Sequence, residues 1–223
     1  MATTAAPYGL KPVKRADGLP YAGATSSYLI DPAGEGTNIF YGQVVHIGAD
    51  GYIALSTATG ADGTTNALPA GTTLTGSLGV FVGCSYINAQ GQQIYGQYYP
   101  SGTTGVVEAY VVDDPNVLFQ AQLDGAADQS DIGANTFFAA AQSTSTGSTT
   151  TGNSTSALDA TTKTTTAAFR IVAAVSPIGD AFPDVLVKFN PGYSSMTNAV
   201  GLSKELNNGY FTRPTPQGAI ART

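Results

Sequence analysis

The chain has 223 residues, including 27 glycines, 12 prolines and no tryptophan; 42% are hydrophobic and only 11% charged, against about 25% charged in an average soluble domain. So little charge excludes a long solvated helix and a charge-driven disordered tail, and a net charge of −6 argues against specific nucleic-acid binding. One cysteine, Cys84, and one histidine, His46, leave no intrachain disulfide and no Cys/His zinc cluster to brace the fold.

Residues 1–24 carry Pro7, Pro12 and Pro20 with glycines at 9, 18 and 23, a spacing that disfavours helix and predicts an extended N-terminal arm. From there the pattern changes to short β-branched and aromatic runs divided by glycine, aspartate and proline. Strands are predicted at Tyr28–Ile30, Ile39–Ile47, Tyr52–Leu55, Leu78–Tyr86, Gln93–Tyr99, Val106–Val112, Val117–Gln122, Ala168–Val175 and Val185–Phe189, with Asp50-Gly51 as a tight-hairpin signal. Alternation places Val117, Phe119 and Ala121 on one side and Leu118, Gln120 and Gln122 on the other, as in a half-buried antiparallel strand. The best helical stretch is Ile132–Gln142, capped by Ser130 or Asp131 and weakened by Gly133. Residues 142–166 hold eleven threonines, five serines and two glycines; such a segment cannot nucleate a core, and threonine's strand propensity predicts a polar hairpin resting on a partner. The tail 191–223, with Pro214 and Pro216, reads as a second extended arm. The expected fold is therefore all-β: a compact antiparallel barrel or sandwich over 25–190, with an arm at each end and a Ser/Thr-rich insertion.

No run approaches the ~18 apolar residues of a membrane helix, since 167–175 is interrupted by Arg170. Residues 1–12 lack the apolar run of a signal peptide, so synthesis and retention in the cytoplasm are expected. Lys11, Lys14 and Arg15 open the chain, six further cations lie at or after position 163, and no lysine or arginine occurs between 16 and 162, a middle of formal charge −12. The ends thus carry +3 each. Basic ends beside an acidic middle suit contacts with acidic surfaces, with Lys11, Lys14, Arg15, Arg213 and Arg222 as the candidate contacts; the alternative is that these residues merely aid solubility.

Candidates for chemistry are few. His46 is the one imidazole available as a base, and it sits in a strand pattern; Cys84 has no basic sequence neighbour to lower its pKa. Asp113-Asp114-Pro115 reads as a turn at a strand end, and the Asp124, Asp128 and Asp131 group lacks the spacing of a calcium loop. Gly34-Glu35-Gly36 lacks the third glycine of a dinucleotide fingerprint. No catalytic residue, cofactor or metal is assigned. Twelve tyrosines and nine phenylalanines, notably Phe40-Tyr41 and Tyr95, Tyr98 and Tyr99, suit either core packing or an interface.

Several phrases carry a resemblance. Tyr8-Gly9-Leu10-Lys11-Pro12-Val13, Pro20-Tyr21-Ala22-Gly23-Ala24-Thr25 and Asn38-Ile39-Phe40-Tyr41-Gly42-Gln43-Val44-Val45 resemble the opening of structural proteins of tailed bacteriophages, particularly of aquatic phages. Gly79-Val80-Phe81-Val82-Gly83-Cys84, Ala109-Tyr110-Val111-Val112-Asp113-Asp114-Pro115 and Phe182-Pro183-Asp184-Val185-Leu186-Val187-Lys188 are similar to later blocks of that group. The resemblance implies a capsid decoration, or cement, protein: a structural virion component, not an enzyme, that binds the outside of a shell built from a separate major capsid protein. Its implied partners are that capsid protein and neighbouring copies of itself, for instance in a trimer, with neither nucleic acid nor membrane. The alternative is a head or tail fibre module that binds host-surface glycans through tyrosines.

Overall fold

The computed structural model describes residues 4–48, 50–56, 77–140, 142–143, 145–161 and 167–190. Among the described residues the regular structure is eleven strands and one turn of 3-10 helix. The strands are β1 (Lys11–Arg15), β2 (Ser26–Ile30), β3 (Val44–Ile47), β4 (Ile53–Leu55), β5 (Ser77–Ile87), β6 (Gln93–Gly96), β7 (Val107–Val112), β8 (Val117–Gln122), β9 (Asn135–Thr136), β10 (Phe169–Ala174) and β11 (Asp184–Phe189). One sheet runs β1-β8-β11-β10-β9. The other runs β3-β4-β2-β7-β5-β6, and because β3 also pairs with β5 it closes into a five-stranded barrel with β6 appended. The long β5 makes this possible: its first half pairs with β3 and its second half with β6, while β7 lies along its other side. All-β architecture is thus observed, as a barrel with a sheet laid on its wall.

Period-two alternation builds two cores from one wall. Val45, Phe81 and Val111 point into the barrel, where they join Ile30, Ile39, Ile53 and Tyr99. Their chain neighbours Val44, Val80 and Val112 are directly paired across β3, β5 and β7 and point outward. That valine row packs with Phe119, Ile171, Val187 and Phe189 of the flat sheet. The phenylalanines fill the second core edge to face, Phe119 on Phe189 at 5.7 Å and Phe138 on Phe169 at 5.3 Å, an arrangement that suits the ring quadrupole.

Three sequence expectations differ from the structure. The predicted helix at Ile132–Gln142 is replaced by a 3-10 turn at Gln129–Asp131 followed by β9. Gly133 adopts φ 94, which ends helical geometry, and its N–H donates to the Ile171 carbonyl while Ile171 N–H donates back to Ala134; pairing with β10 outcompetes weak local propensity. The run Ile39–Ile47 is broken at Gly42, φ 86, so that the regular strand begins at Val44. Gly42 has to lack a side chain, because Leu10 N–H donates to its carbonyl at 2.9 Å and a Cβ there would lie 2.9 Å from the Tyr8 carbonyl oxygen.

The third difference concerns the N-terminal stretch. It is extended, but on its own chain: β1 pairs antiparallel with β8, and Leu10 is fully buried in the second core. Pro12 is tolerated because β1 is an edge strand, where a missing N–H costs no ladder bond. The described part of 142–161 likewise packs on its own chain. Gln142 is 2% exposed, and its side-chain amide accepts from Val44 N–H at 2.9 Å and donates to the Ser56 carbonyl at 2.7 Å. Gln43, fully buried, accepts from Phe40 N–H at 2.8 Å and donates to Thr146 Oγ1 at 2.9 Å. Gly147 lies flat against the Phe40 ring, with no room for a Cβ, and Leu158 is fully buried. Residues 162–166 and 191–223 of the expected insertion and C-terminal arm lie outside the described residues.

Replacing Gln142 by methionine keeps the side-chain volume and removes both polar atoms, leaving Val44 N–H and Ser56 C=O unpaired in a dry site. The expected cost is about 3 kcal/mol, read as a melting temperature lowered by roughly 6–12 °C for a domain of this size. A melting curve that coincides with the wild type would mean that the glutamine does not carry this role.

Candidate interaction surface

Core-facing Phe119, Ala121, Val187, Phe169 and Ile171 set the opposite face of the flat sheet by alternation. On β1, Lys11 pairs with Gln120 and Lys14 with Leu118, so both lysines share the side turned away from the core. Lys188, between core-facing Val187 and Phe189, also points away, and Arg170 is its direct cross-strand partner. Lys14, Lys188 and Arg170 therefore line up across one face on three strands. Lys11, Lys14 and Arg170 are exposed and Lys188 half-buried.

The strands of this sheet hold all five cations among the described residues and one carboxylate, Asp184. Asp184 is hydrogen-bonded within the chain, accepting from Tyr8 Oη at 3.0 Å and Gln120 Nε2 at 3.1 Å. Tyr8 belongs to a short strap over the same end of the face, where Ala6 N–H donates to Gln122 Oε1 at 2.7 Å. Burial and the Asp184 carboxylate push the Tyr8 phenol far above its ordinary pKa, so it remains a donor at any working pH. The barrel and its loops carry Asp31, Glu35, Asp50, Glu108 and Asp113 and no cation. Among the described residues the cations are thus confined to the flat-sheet layer, whereas acids occur on both: Asp17, Asp114, Asp124, Asp128, Asp131, Asp159 and Asp180 lie in the turns and loops around that sheet.

Of the residues expected to make contacts, Lys11 and Lys14 lie on this face. Arg15 does not: it opposes Val117 and its guanidinium is held by Asp17 at 3.1 Å and Asp114 at 3.0 Å. Both ion pairs among the described residues belong to Arg15, which clamps β1 to the turn before β8. Arg213 and Arg222 lie outside the described residues. Arg170 and Lys188 complete the face and were not among the expected contacts. Alternation in Val185–Phe189 indicates that Lys188 faces away from the core, but only the β1-β8-β11-β10 order brings it onto the same face as Lys14, with Leu118 of β8 between them.

Residues with chemical potential are dispersed. His46 pairs with Ala54 on the barrel, and burial lowers its pKa against the opposing pull of Glu35 and Asp50. Asp31, Glu35, Asp50 and Tyr52 line an open pocket of about 260 Å³ beside it. Among the described residues no group of three or more His, Cys, Asp or Glu side chains is placed to hold a metal ion. Asp113 accepts from Tyr28 Oη at 2.7 Å, while Asp114 engages Arg15 and caps Asn116 N–H at 2.9 Å; the pair acts as a turn, its two carboxylates directed to different partners. Cys84 is buried in the barrel. The tyrosines separate as well: Tyr99 is core, Tyr98 stacks on Phe40 at 5.5 Å, and Tyr95 is 74% exposed.

No protein-family model, curated protein or solved structure matches the chain.

Burial pushes the Cys84 thiol up to about 12, so almost no thiolate exists at pH 8. A thiol reagent at that pH should leave the native protein unmodified over hours and label one thiol in denaturant within minutes; fast labelling of the native form would contradict the burial. Tyr28 gives an alkaline test. Partial burial and the bond to Asp113 raise its phenol to about 12 from an ordinary 10.0, so the folded form holds its proton more tightly. The associated stability is fully present below pH 10 and is lost as pH rises towards 12. Tyr28→Phe should flatten that part of the melting-temperature profile, and an identical alkaline slope in the variant would exclude the contribution.

Proposed function

We propose that this chain is a structural virion protein that binds the outer surface of a phage capsid and stabilises contacts between major capsid protein subunits. The observation that carries the reading is the basic row Lys14, Lys188 and Arg170, spread over three strands of a rigid sheet and free of internal ion pairs among the described residues. Side chains so placed, without an internal ion pair among the described residues, would meet an acidic surface broadside. The sequence phrases similar to phage structural proteins support the same reading, as does a fold with two hydrophobic cores sharing one wall. The role is mechanical: added interface area across subunit boundaries opposes the outward pressure of packaged DNA. Acidic barrels left outward would keep neighbouring copies apart where they do not touch and direct each one to present its basic side to the shell.

The fibre alternative needs a cluster of exposed aromatic side chains for a sugar ring, and of Tyr95, Tyr98 and Tyr99 the first alone is strongly exposed. Copy number separates the two readings, since a cement protein is present many times per particle and a fibre few.

Purified protein added to bare capsids gives the decisive measurement. Charge reversal at the three row positions, Lys14→Glu, Arg170→Glu and Lys188→Glu together, should reduce binding at least tenfold while leaving the melting temperature within a few degrees. Raising salt from 50 to 500 mM should slow association of the wild type, because the encounter is steered by charge. Binding indifferent to both changes would exclude the basic face as the contact, and no binding at all would exclude the capsid role.

A further inference from the structure

Residues 63–107 contain no charged side chain, in a chain whose net charge is −6. Within that stretch β6 forms the end of the barrel sheet and pairs with β5 alone. Sheets commonly guard such an edge with lysine, proline or a bulge. The β6 sequence Gln93-Ile94-Tyr95-Gly96 has no charge and no proline, and its register with β5 is regular.

Hydrogen bonding fixes which groups the edge presents. Asn88 N–H donates to the Gln92 carbonyl at 2.9 Å in the hairpin turn, and bonded pairs alternate with non-bonded ones along an antiparallel ladder. Tyr86 with Ile94 and Cys84 with Gly96 are therefore the bonded pairs. Gln93 and Tyr95, opposite Ile87 and Ser85, turn their N–H and C=O groups to the open side, where they have no partner among the described residues. Both side chains are exposed, Tyr95 by 74%.

This pattern is complementary to itself. When a second β6 runs antiparallel with Ile94 opposite Ile94, Gln93 of each copy meets Tyr95 of the other and the two exchange both main-chain bonds. The isoleucines then form a close non-hydrogen-bonded pair at the axis. On the other face the two Tyr95 rings are diagonal neighbours, a separation that aromatic side chains bridge. Charge permits the approach. Glu108, which shares the outward row with Ser85 and Tyr95, lies two strands in from the edge, so the two Glu108 carboxylates stand about 24 Å apart at the spacing of paired strands. That is well beyond the screening length of about 8 Å at physiological salt. Past Gly96 the chain turns into the bridge between Tyr99 and Ile39, which confines the pairing to β6. The area covered is then below the ~1,200 Å² of a stable complex, and a dissociation constant of the order of 100 μM follows.

We infer that the β6 edge is an interface between two copies of this chain, joined antiparallel about a two-fold axis at Ile94. The contact is isologous and closes on itself, so it yields a dimer and not a filament. It does not depend on the capsid reading.

Sedimentation of the full-length protein over a concentration series tests the inference. The protein should be monomeric at about 5 μM and at least half dimeric at about 500 μM. Tyr95→Pro removes an N–H that faces the edge and none that bonds to β5, so it should remain monomeric throughout with a melting temperature within a few degrees of the wild type. Tyr95→Lys leaves the backbone intact and sets two like charges diagonally across the axis; it should weaken the dimer at least tenfold. Ile94→Cys should cross-link under mild oxidation at least ten times faster than Gln93→Cys, because the axis residue alone faces its own copy, and the native Cys84 is buried. A protein that stays monomeric at the highest concentration, or a dimer that survives both Tyr95 variants, would overturn the inference. A dimer lost on combined charge reversal of Lys14, Arg170 and Lys188 but kept in Tyr95→Lys would overturn it in favour of the basic face, and faster cross-linking at position 93 would overturn the axis at Ile94.

Discussion

The architecture depends on how a closed barrel satisfies its backbone where a strand ends. At the start of β3 the chain has just left the turn at Gly42, and although Ser56 N–H donates to the Val44 carbonyl at 2.9 Å, the Val44 N–H and the Ser56 carbonyl are not bonded to each other. The amide of Gln142 fills that place, accepting from one backbone N–H and donating to the Ser56 carbonyl, as a peptide unit of another strand would. Gln43 does the same for Phe40 and Thr146, and Gln122 for Ala6 and the Phe182 carbonyl. All three glutamines are at most 5% exposed. A neutral amide is the group for such a site: it both donates and accepts, and it avoids the several kcal/mol that burial of a charge costs. A chain with so few charges and a long Ser/Thr-rich segment is built for this kind of internal pairing.

The second constraint is that one wall serves two cores. Val44, Val80 and Val112 face the flat sheet while Val45, Phe81 and Val111 face the barrel interior. A one-residue slip of β5 against β7 would exchange the two sets and ruin both cores at once. Register is fixed accordingly, with an irregularity between Phe81 and Gly83 that restores the pairing farther along. The layers are therefore one mechanical body, and the basic face on the outer side of the sheet is held as firmly as the core beneath it.

This rigidity gives the charge distribution its meaning. Lysines on a floating arm have no fixed arrangement; Lys14, Lys188 and Arg170 are held in one by the sheet. The acidic groups are spread over the loops of both layers, several of them engaged within the chain, as Asp113 is by Tyr28 and Asp31 by Ala33 N–H. Cations gathered on one sheet, with hydrogen-bonded acids spread over the loops, give that face a character of its own despite a modest net charge.

The sequence by itself determined the class of the fold and most of its strands, because period-two alternation and Gly/Asp/Pro turns are local signals. Val117–Gln122 is read to the residue, and Val185–Phe189 to within one. It also determined that the cations lie outside the middle of the chain. Tertiary structure decided the rest. Whether Lys11–Arg15 is a free arm or an edge strand depends on β8, more than a hundred residues away, and whether Ile132–Gln142 coils or pairs depends on β10. The role of Gln142 was invisible in a run of serines and threonines, since its partners Val44 and Ser56 are remote in sequence. The basic row arose in the same way: each cation's face follows from its own strand, but their alignment exists only because long-range hydrogen bonding sets β1, β8, β11 and β10 side by side.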